Sequence, residues 1–115
     1  MICVAETEGK GRGLIAVRDI RCGEVIETCS VHLTPVKEKD EYEADDAADR
    51  FVFYWDENYD ALAFGSMSFV NHSRKPNCEI VRDENHLMQS LIAMRDIKRG
   101  EELTIDYEYV WFEEK

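Results

Sequence analysis

Eight short runs of apolar and β-branched residues divide the chain, and turn-forming residues separate them. In chain order the runs are MICVA, GLIAV, EVIETCSV, RFVFYW, ALAF, CEIV, LMQSLIAM and ELTI. The segments between them, such as EGKGRG, DENYD and SRKPN, are rich in glycine, proline, asparagine and aspartate, which are typical of turns. Only residues 38–50 have a helical pattern, and it is weak. The sequence therefore predicts a mainly β fold of compact, curved sheets with little helix.

The length of the chain, 115 residues, predicts a single domain spanning residues 1–115. A domain of this size can bury a hydrophobic core without help from a metal or a disulfide. No apolar run approaches the roughly 20 residues of a membrane helix, and the N-terminal MICVAETEGK lacks the pattern of a signal peptide. We therefore expect a soluble intracellular protein that does not bind a membrane.

The formal net charge of the chain is −11. A protein that binds nucleic acid must neutralise phosphates, so this charge argues against direct binding of DNA or RNA. Two interpretations remain open: the negative charge attracts a partner rich in lysine or arginine, or it only maintains solubility. Much of the charge lies in EKDEYEADDAAD, which can equally be a solvated helix or loop.

Four cysteines, Cys3, Cys22, Cys29 and Cys78, are scattered without a C-x-x-C pair. Structural zinc sites favour ligands a few residues apart, so no metal site is predicted. Disulfides are not expected in a chain without a secretory signal. Buried or incidental thiols are the simplest interpretation.

One stretch of the sequence has an internal counterpart. AVRDIRCGEVIE (16–27) and AMRDIKRGEELT (93–104) share six of twelve residues. Both read as a strand, a turn with Arg-Asp-Ile and Gly-Glu, and a second strand. The similarity predicts two units of related geometry, in which Gly23 and Gly100 supply the turn conformation.

Three glycines, Gly9, Gly11 and Gly13, are closely spaced in EGKGRG. A dinucleotide-binding loop would need a helix after the glycines, whereas the strand-like GLIAV follows here. A ligand site lined by the backbone and a plain flexible turn both remain open.

The loop SFVNHSRKPNCE (68–79) contains residues that hydrolases and metal sites use. His72 and Ser73 are adjacent in sequence, however, and a nucleophile elbow of the G-x-S-x-G type is absent. A pair formed by Cys78 and His72 is conceivable but has no local signature. The simplest interpretation of the loop alone is an asparagine-rich turn.

The last strand run continues into GEELTIDYEY, which places Tyr107 and Tyr109 at a strand end. Tyrosines in such a position either pack against the domain or place a hydroxyl oxygen near a cation or an amine. The residues alone do not distinguish these roles.

Taken together and in this order, GKGRGLIAV, FVNHSRKPNCE and RDIKRGEELTIDYEY resemble the SET-domain protein lysine methyltransferases. The resemblance covers nearly the whole chain, which is similar to the minimal stand-alone members of bacteria and viruses. It implies a β-clip-like fold of several small curved sheets with a C-terminal pseudoknot, in which the NHSRKPN loop and the ELTIDYEY segment cross. It also implies a single SET domain over 1–115, without a pre-SET region or a cysteine-rich post-SET module.

The resemblance implies a cofactor, S-adenosylmethionine (SAM), and a set of residues that hold it. By similarity, Lys10, Gly11, Arg12 and Gly13 line its methionine and ribose parts, mainly through backbone groups. Asn71 and His72 hold the amino-acid and adenine portions, and Pro76 helps to set the shape of their loop.

Tyr107 matches the active-site tyrosine of the family, so the resemblance assigns it a catalytic role and also includes it among the cofactor-binding residues. The residues that line the lysine channel are less clearly defined by the match. Candidates for the channel or its cover are Phe51, Phe53, Tyr54, Tyr109, Trp111 and Phe112. The first three can equally belong to the core, and Trp111 and Phe112 can equally pack on the domain body.

The sequence departs from the family pattern at two points. Arg74 stands where many relatives have a zinc-binding cysteine, which again predicts that no metal is bound. Cys3 stands where some members have a tyrosine. Because the post-SET module is missing, a homodimer could complete the channel, as in the viral minimal members.

The function that the resemblance implies is SAM-dependent methylation of lysine in a basic, histone-like protein or peptide. We would expect the protein in the cytoplasm, or in the nucleus with chromatin if its source is eukaryotic or it acts on a host. The alternatives are a catalytically inactive SET module that only binds a protein, and a hydrolase with Cys78 as its nucleophile. The sequence does not indicate how many methyl groups are added.

Overall fold

The computed structural model describes residues 1–7, 9, 11–36 and 52–106. Nine strands make up most of this part of the chain: β1 (Ile2–Thr7), β2 (Gly11–Ala16), β3 (Val25–Pro35), β4 (Val52–Tyr54), β5 (Tyr59–Ala63), β6 (Asn71–His72), β7 (Cys78–Asp83), β8 (Met88–Ala93) and β9 (Glu102–Ile105). A 3-10 helix, Ser66–Phe69, precedes β6. No helix in these ranges is long and apolar enough to cross a membrane.

The strands form two sheets, which confirms the prediction of a mainly β fold with little helix. The order in the first is β1-β2-β9-β6, and in the second it is β4-β5-β3-β8-β7. All pairings are antiparallel except that of β6 with β9, which is parallel. Each of the eight predicted strand runs contains or overlaps a strand. The helical pattern predicted over 38–50 lies outside the described residues.

Strand β3 is the centre of the second sheet because its two halves have different partners. Val25–Ser30 pairs with β8, and Val31–Pro35 pairs with β5. The register shifts between Val25 and Glu27, as at a β-bulge, and bulges increase the local bend and twist of a strand. Such a bend produces the curvature that the sequence pattern predicted.

The alternation of buried and exposed residues explains why these segments are strands. In β8, every second residue is fully buried: Gln89, Leu91 and Ala93 face the interior while their neighbours are partly exposed. Residues of both sheets then meet in one apolar core. Its largest fully buried apolar side chains are Leu14, Ile20, Met67, Leu91, Ile97 and Leu103.

The two similar sequence units lie against each other in the fold. Ile20 and Ile97 exchange both of their backbone hydrogen bonds, each at 2.8 Å. The N–H of Gly23 donates to the carbonyl of Ala93, and the N–H of Gly100 donates to that of Ala16, again both at 2.8 Å. The units are therefore related by an approximate two-fold arrangement.

Equivalent side chains of the two units also make equivalent bonds. Asp96 accepts a hydrogen bond from the N–H of Cys22 at 2.8 Å, and Asp19 accepts one from the N–H of Arg99 at 2.9 Å. The two turn glycines have φ angles of +89° and +92°, in the left-handed region that favours glycine. The prediction of two units with related geometry is confirmed.

Candidate functional site

The loop that follows the 3-10 helix meets the last described strand. Asn71 pairs with Thr104 and His72 with Ile105 in the short parallel ladder between β6 and β9. The N–H of Ser73 then donates to the carbonyl of Ile105 at 2.9 Å. Asn71 and His72 are thus held beside the end of β9, directly before Asp106. The structure thus brings the NHSRKPN loop beside the first part of the ELTIDYEY segment, while Tyr107 and the residues after it lie outside the described residues, so the crossing itself stays a prediction.

Asn77 fixes this meeting from the far end of the loop. Its side chain is 2% exposed, donates from Nδ2 to the carbonyl of Glu102 and accepts at Oδ1 from the N–H of Thr104, both at 2.8 Å. Its own carbonyl accepts from the N–H of Met94 at 2.8 Å. The side chain of Asn77 therefore pairs with β9 much as a neighbouring strand would.

A carboxylate fixes the entry to the loop. Glu27 of β3 accepts hydrogen bonds from the N–H groups of Ser66 and Met67, at 3.0 and 2.7 Å. These are the first backbone donors of the 3-10 helix, which helical hydrogen bonds leave unpaired. The helix leads directly into Asn71, so Glu27 helps to place the loop. Sequence reasoning missed both the helix and this contact.

Gly13 brings the glycine segment against the loop. It lies in β2, which pairs with β9 on the side opposite β6. A Cβ atom at Gly13 would lie 2.7 Å from Asn71 Nδ2, 2.7 Å from Glu102 Oε2 and 2.9 Å from Thr7 Cγ2. A side chain at position 13 would therefore force the ends of the Asn71 and Glu102 side chains to move. Gly9 and Gly11, by contrast, have open space but φ angles of +76° and +74°, as in a turn.

The predicted cofactor role of Asn71 can be tested at Gly13: replacement of Gly13 by alanine should then weaken SAM binding about tenfold, the equivalent of one lost hydrogen bond to the ligand. The added methyl group must displace the Asn71 amide, because protein Cβ atoms do not approach other atoms this closely. Titration calorimetry with SAM measures the effect. Gly23→Ala is the matched control. Because Gly23 has a φ of +89°, the variant is expected to lose about 1 kcal/mol of stability, but its added Cβ would contact neither Asn71 nor Glu102. Unchanged affinity in Gly13→Ala would contradict the assignment.

The other predicted cofactor residues have distinct surroundings. The guanidinium of Arg12 lies over the ring of Phe69, with its carbon 4.7 Å from the ring centroid. The carbonyl of Arg12 accepts a hydrogen bond from Asn71 Nδ2 at 3.3 Å, so the backbone of Arg12 contacts the same amide group as Glu102. Lys10 lies outside the described residues. The assignment of these residues to the cofactor stays a prediction.

His72 lies near a carboxylate, and Ser73 closes a local turn. The ring Nδ1 of half-buried His72 lies 3.8 Å from Asp106 Oδ1, beyond hydrogen-bond distance. The hydroxyl of Ser73 accepts a hydrogen bond from the N–H of Lys75 at 3.0 Å, as in a local turn. These contacts agree with the interpretation of the segment as a shaped turn.

Cys78 is unsuited to be a nucleophile. Its side chain is buried at the start of β7, and the desolvation raises its pKa to about 12. Only the thiolate attacks, and at pH 8 about one thiol in 10,000 would be ionised at that pKa. The environment of Cys78 therefore argues against the hydrolase hypothesis.

Thiol labelling tests this environment directly. Cys3 and Cys22 are exposed, whereas Cys29 and Cys78 are buried, and burial also raises the pKa of Cys29. We expect two thiols of the native protein to react quickly with a thiol-specific reagent at pH 8, and all four after denaturation. Labelling followed by mass spectrometry identifies the sites. Fast native labelling of Cys78 would revive the hydrolase hypothesis.

The predicted channel residues are only partly described. In β4, Phe53 is buried in the core, while the adjacent Tyr54 is 37% exposed on the opposite face. The guanidinium carbon of Arg82 lies 5.8 Å from the centroid of the Tyr54 ring. The remaining channel candidates, Phe51, Tyr109, Trp111 and Phe112, lie outside the described residues. A channel role therefore stays a prediction for all six.

Comparison with known proteins gives consistent matches along this chain. The model of the SET domain matches residues 11–108. A histone-lysine N-methyltransferase of Schizosaccharomyces pombe, named as specific for histone H3 lysine 37, is 32% identical over 97% of this chain and 77% of its own. An N-lysine methyltransferase of Xenopus laevis is 34% identical over 86% of this chain. The chain corresponds to 33% of that second relative.

A solved structure extends the similarity to the fold. It belongs to a provisionally assigned histone methyltransferase of Plasmodium falciparum, with a TM-score of 0.71 and 23% identity. The match covers 97% of this chain and 96% of the other. The family model and the S. pombe relative together show that this chain belongs to the SET-domain family of protein-lysine methyltransferases.

Proposed function

We propose that this enzyme transfers a methyl group from SAM to the ε-amino group of a lysine in a basic, histone-like protein. The observation that carries the proposal is the pairing of β6 with β9, which places Asn71 and His72 beside the strand that leads to Tyr107. The family membership and the retention of all three motifs support it. A purely binding module would not need the tyrosine and the glycine segment together with this loop.

The residues around the β6–β9 pairing are suited to the amino-acid end of the cofactor. Because Gly13 has no side chain, the Asn71 amide and the Glu102 carboxylate can lie together against the backbone of β2. Asn71, His72 and the backbone of 10–13 would hold the cofactor. When bound, SAM supplies an electrophilic methyl group on a positively charged sulfur.

The remaining task of the protein is to prepare the lysine. Free lysine has a pKa near 10.4, so only about one side chain in a thousand is neutral near pH 7.4. A narrow channel that excludes water favours the neutral amine and holds it in line with the methyl group. Tyr107 would direct its oxygen at the methyl group through weak C–H···O contacts. This reaction does not require His72 as a base.

The charge of the enzyme supports a basic substrate. With a net charge of −11, its field attracts proteins rich in lysine and arginine and raises their rate of encounter. The S. pombe and Drosophila virilis relatives are named as histone-lysine methyltransferases. We therefore extend to this enzyme a target of the same basic character, such as a histone tail.

The decisive experiment is incubation with methyl-labelled SAM and a panel of basic proteins, with acidic proteins as controls. Mass mapping of the product identifies the modified residue and its number of methyl groups. We expect label on lysine side chains of the basic proteins only. Failure of the protein to bind SAM in calorimetry would overturn the proposal.

A further inference from the structure

The side-chain amide of Asn71 has three oxygens around one of its ends. Its Nδ2 lies 2.7 Å from Glu102 Oε2, 3.3 Å from the carbonyl oxygen of Arg12 and 3.5 Å from Thr7 Oγ1. Among the described residues, no donor is hydrogen-bonded to Asn71 Oδ1. The two ends of this amide therefore have different surroundings.

The chemistry of these partners fixes which end of the amide faces them. An ionised carboxylate can only accept hydrogen bonds, so it must face the NH₂ group rather than the oxygen. The hydroxyl of Thr7 donates its hydrogen to the carbonyl of Gly11 at 2.8 Å, which leaves a lone pair for Asn71. The bond to Glu102 is the shortest of the three and is charge-assisted, which makes it the strongest.

The backbone of Glu102 is itself held from both sides. In the first sheet it pairs with Ile15 of β2. On the other side, its carbonyl accepts from the side chain of Asn77 at 2.8 Å. The carboxylate of Glu102 is thus brought to Asn71 by β9, the strand to which the buried Asn77 side chain is hydrogen-bonded.

We propose that Glu102 is a positioning residue that holds Asn71 with its carboxamide oxygen turned away from the carboxylate, toward the cofactor. An oxygen in this position accepts hydrogen bonds and suits the ammonium group of the methionine part of SAM. A reversed amide would present two donors there and would repel that group. The orientation therefore makes the site selective for a ligand with a free amino group. This inference rests on the proposed function.

Glu102→Gln tests the role, because a glutamine of equal size can pair with either orientation of the amide. The probes are S-adenosylhomocysteine and its analogue without the α-amino group, with binding measured by calorimetry. We expect the variant to bind the first about tenfold more weakly and the second within about twofold of the wild type. Glu79→Gln, an equal charge change on an exposed part of β7, is expected to alter neither affinity.

A double-mutant cycle separates positioning from a direct effect of the charge. In an Asn71→Ala background no amide remains to be oriented, so Glu102→Gln should change the preference for the amino group less than twofold. A full tenfold change in that background would mean that the carboxylate acts on the ligand itself, and would overturn the positioning role. The thermal unfolding midpoint of each variant confirms that folded proteins are compared.

The outcomes distinguish this inference from the function on which it rests. If the wild type binds neither probe, the proposed function fails. If the wild type binds and Glu102→Gln weakens both probes equally, the function stands and Glu102 is merely structural. The kcat of Glu102→Gln at saturating SAM should stay within about threefold of the wild-type value. Its KM for SAM, measured by varying SAM, should rise about tenfold.

Discussion

Replacement of Tyr107 by phenylalanine is expected to lower the rate of methyl transfer by about 100-fold or more. The change removes only the hydroxyl oxygen, which we propose directs the methyl group, and leaves the ring. SAM affinity should remain within about twofold, because the proposed cofactor contacts belong mainly to Asn71, His72 and the glycine segment. Single-turnover kinetics with a labelled basic protein measure the rate, and calorimetry measures the affinity.

A matched control is available in the same chain. Tyr59 is 41% exposed in β5 and has no assigned role, so Tyr59→Phe should change the rate less than about twofold. If Tyr107→Phe kept half of the wild-type rate, the catalytic assignment would be wrong even if the enzyme proved to be a methyltransferase.

Replacement of Asn77 by alanine is expected to lower the free energy of unfolding by about 2–4 kcal/mol. The change leaves the carbonyl of Glu102 and the N–H of Thr104 without their side-chain partner in a buried place. Urea unfolding followed by tryptophan fluorescence measures the effect. Asn77→Asp should be at least as harmful, because a carboxylate would then face the Glu102 carbonyl.

The control for this prediction is Asn85→Ala in the exposed turn between β7 and β8, with an expected change below about 0.5 kcal/mol. If Asn77→Ala lost less than about 1 kcal/mol, the side chain would not hold the loop to β9. Cofactor affinity should fall in parallel with stability, since the same bonds place Glu102 beside Asn71.

The elements that could be predicted from the sequence are those whose pattern is local. The alternation in LMQSLIAM and the turn residues around it indicate β8 without reference to the rest of the chain. The similarity of 16–27 to 93–104 likewise predicts two units of one geometry. It does not predict that Ile20 and Ile97 pair with each other, because that pairing depends on the path of the chain between them.

The features missed by sequence reasoning depend on partners distant along the chain. Strand β6 has only two residues, both polar, and exists because β9 lies beside it. The 3-10 helix is too short to show a period, and the cap on its first turn comes from Glu27 in β3. Glu102 looks like an ordinary strand residue until the fold brings Asn71 to it.

The contact between the two similar sequence units, 16–27 and 93–104, has a consequence for the order in which the chain folds during synthesis. Strand β9 takes its place between β2 and β6, and the bonds of Gly100 and Ile97 to residues 16–20 help to hold it there. When synthesis has reached the end of β8, the nascent chain contains residues 16–24 and the NHSRKPN loop. It still lacks β9, the strand that lies between β2 and β6. The first sheet and the pairing that holds Asn71 must therefore form late during synthesis, and such non-local closure is typically slow.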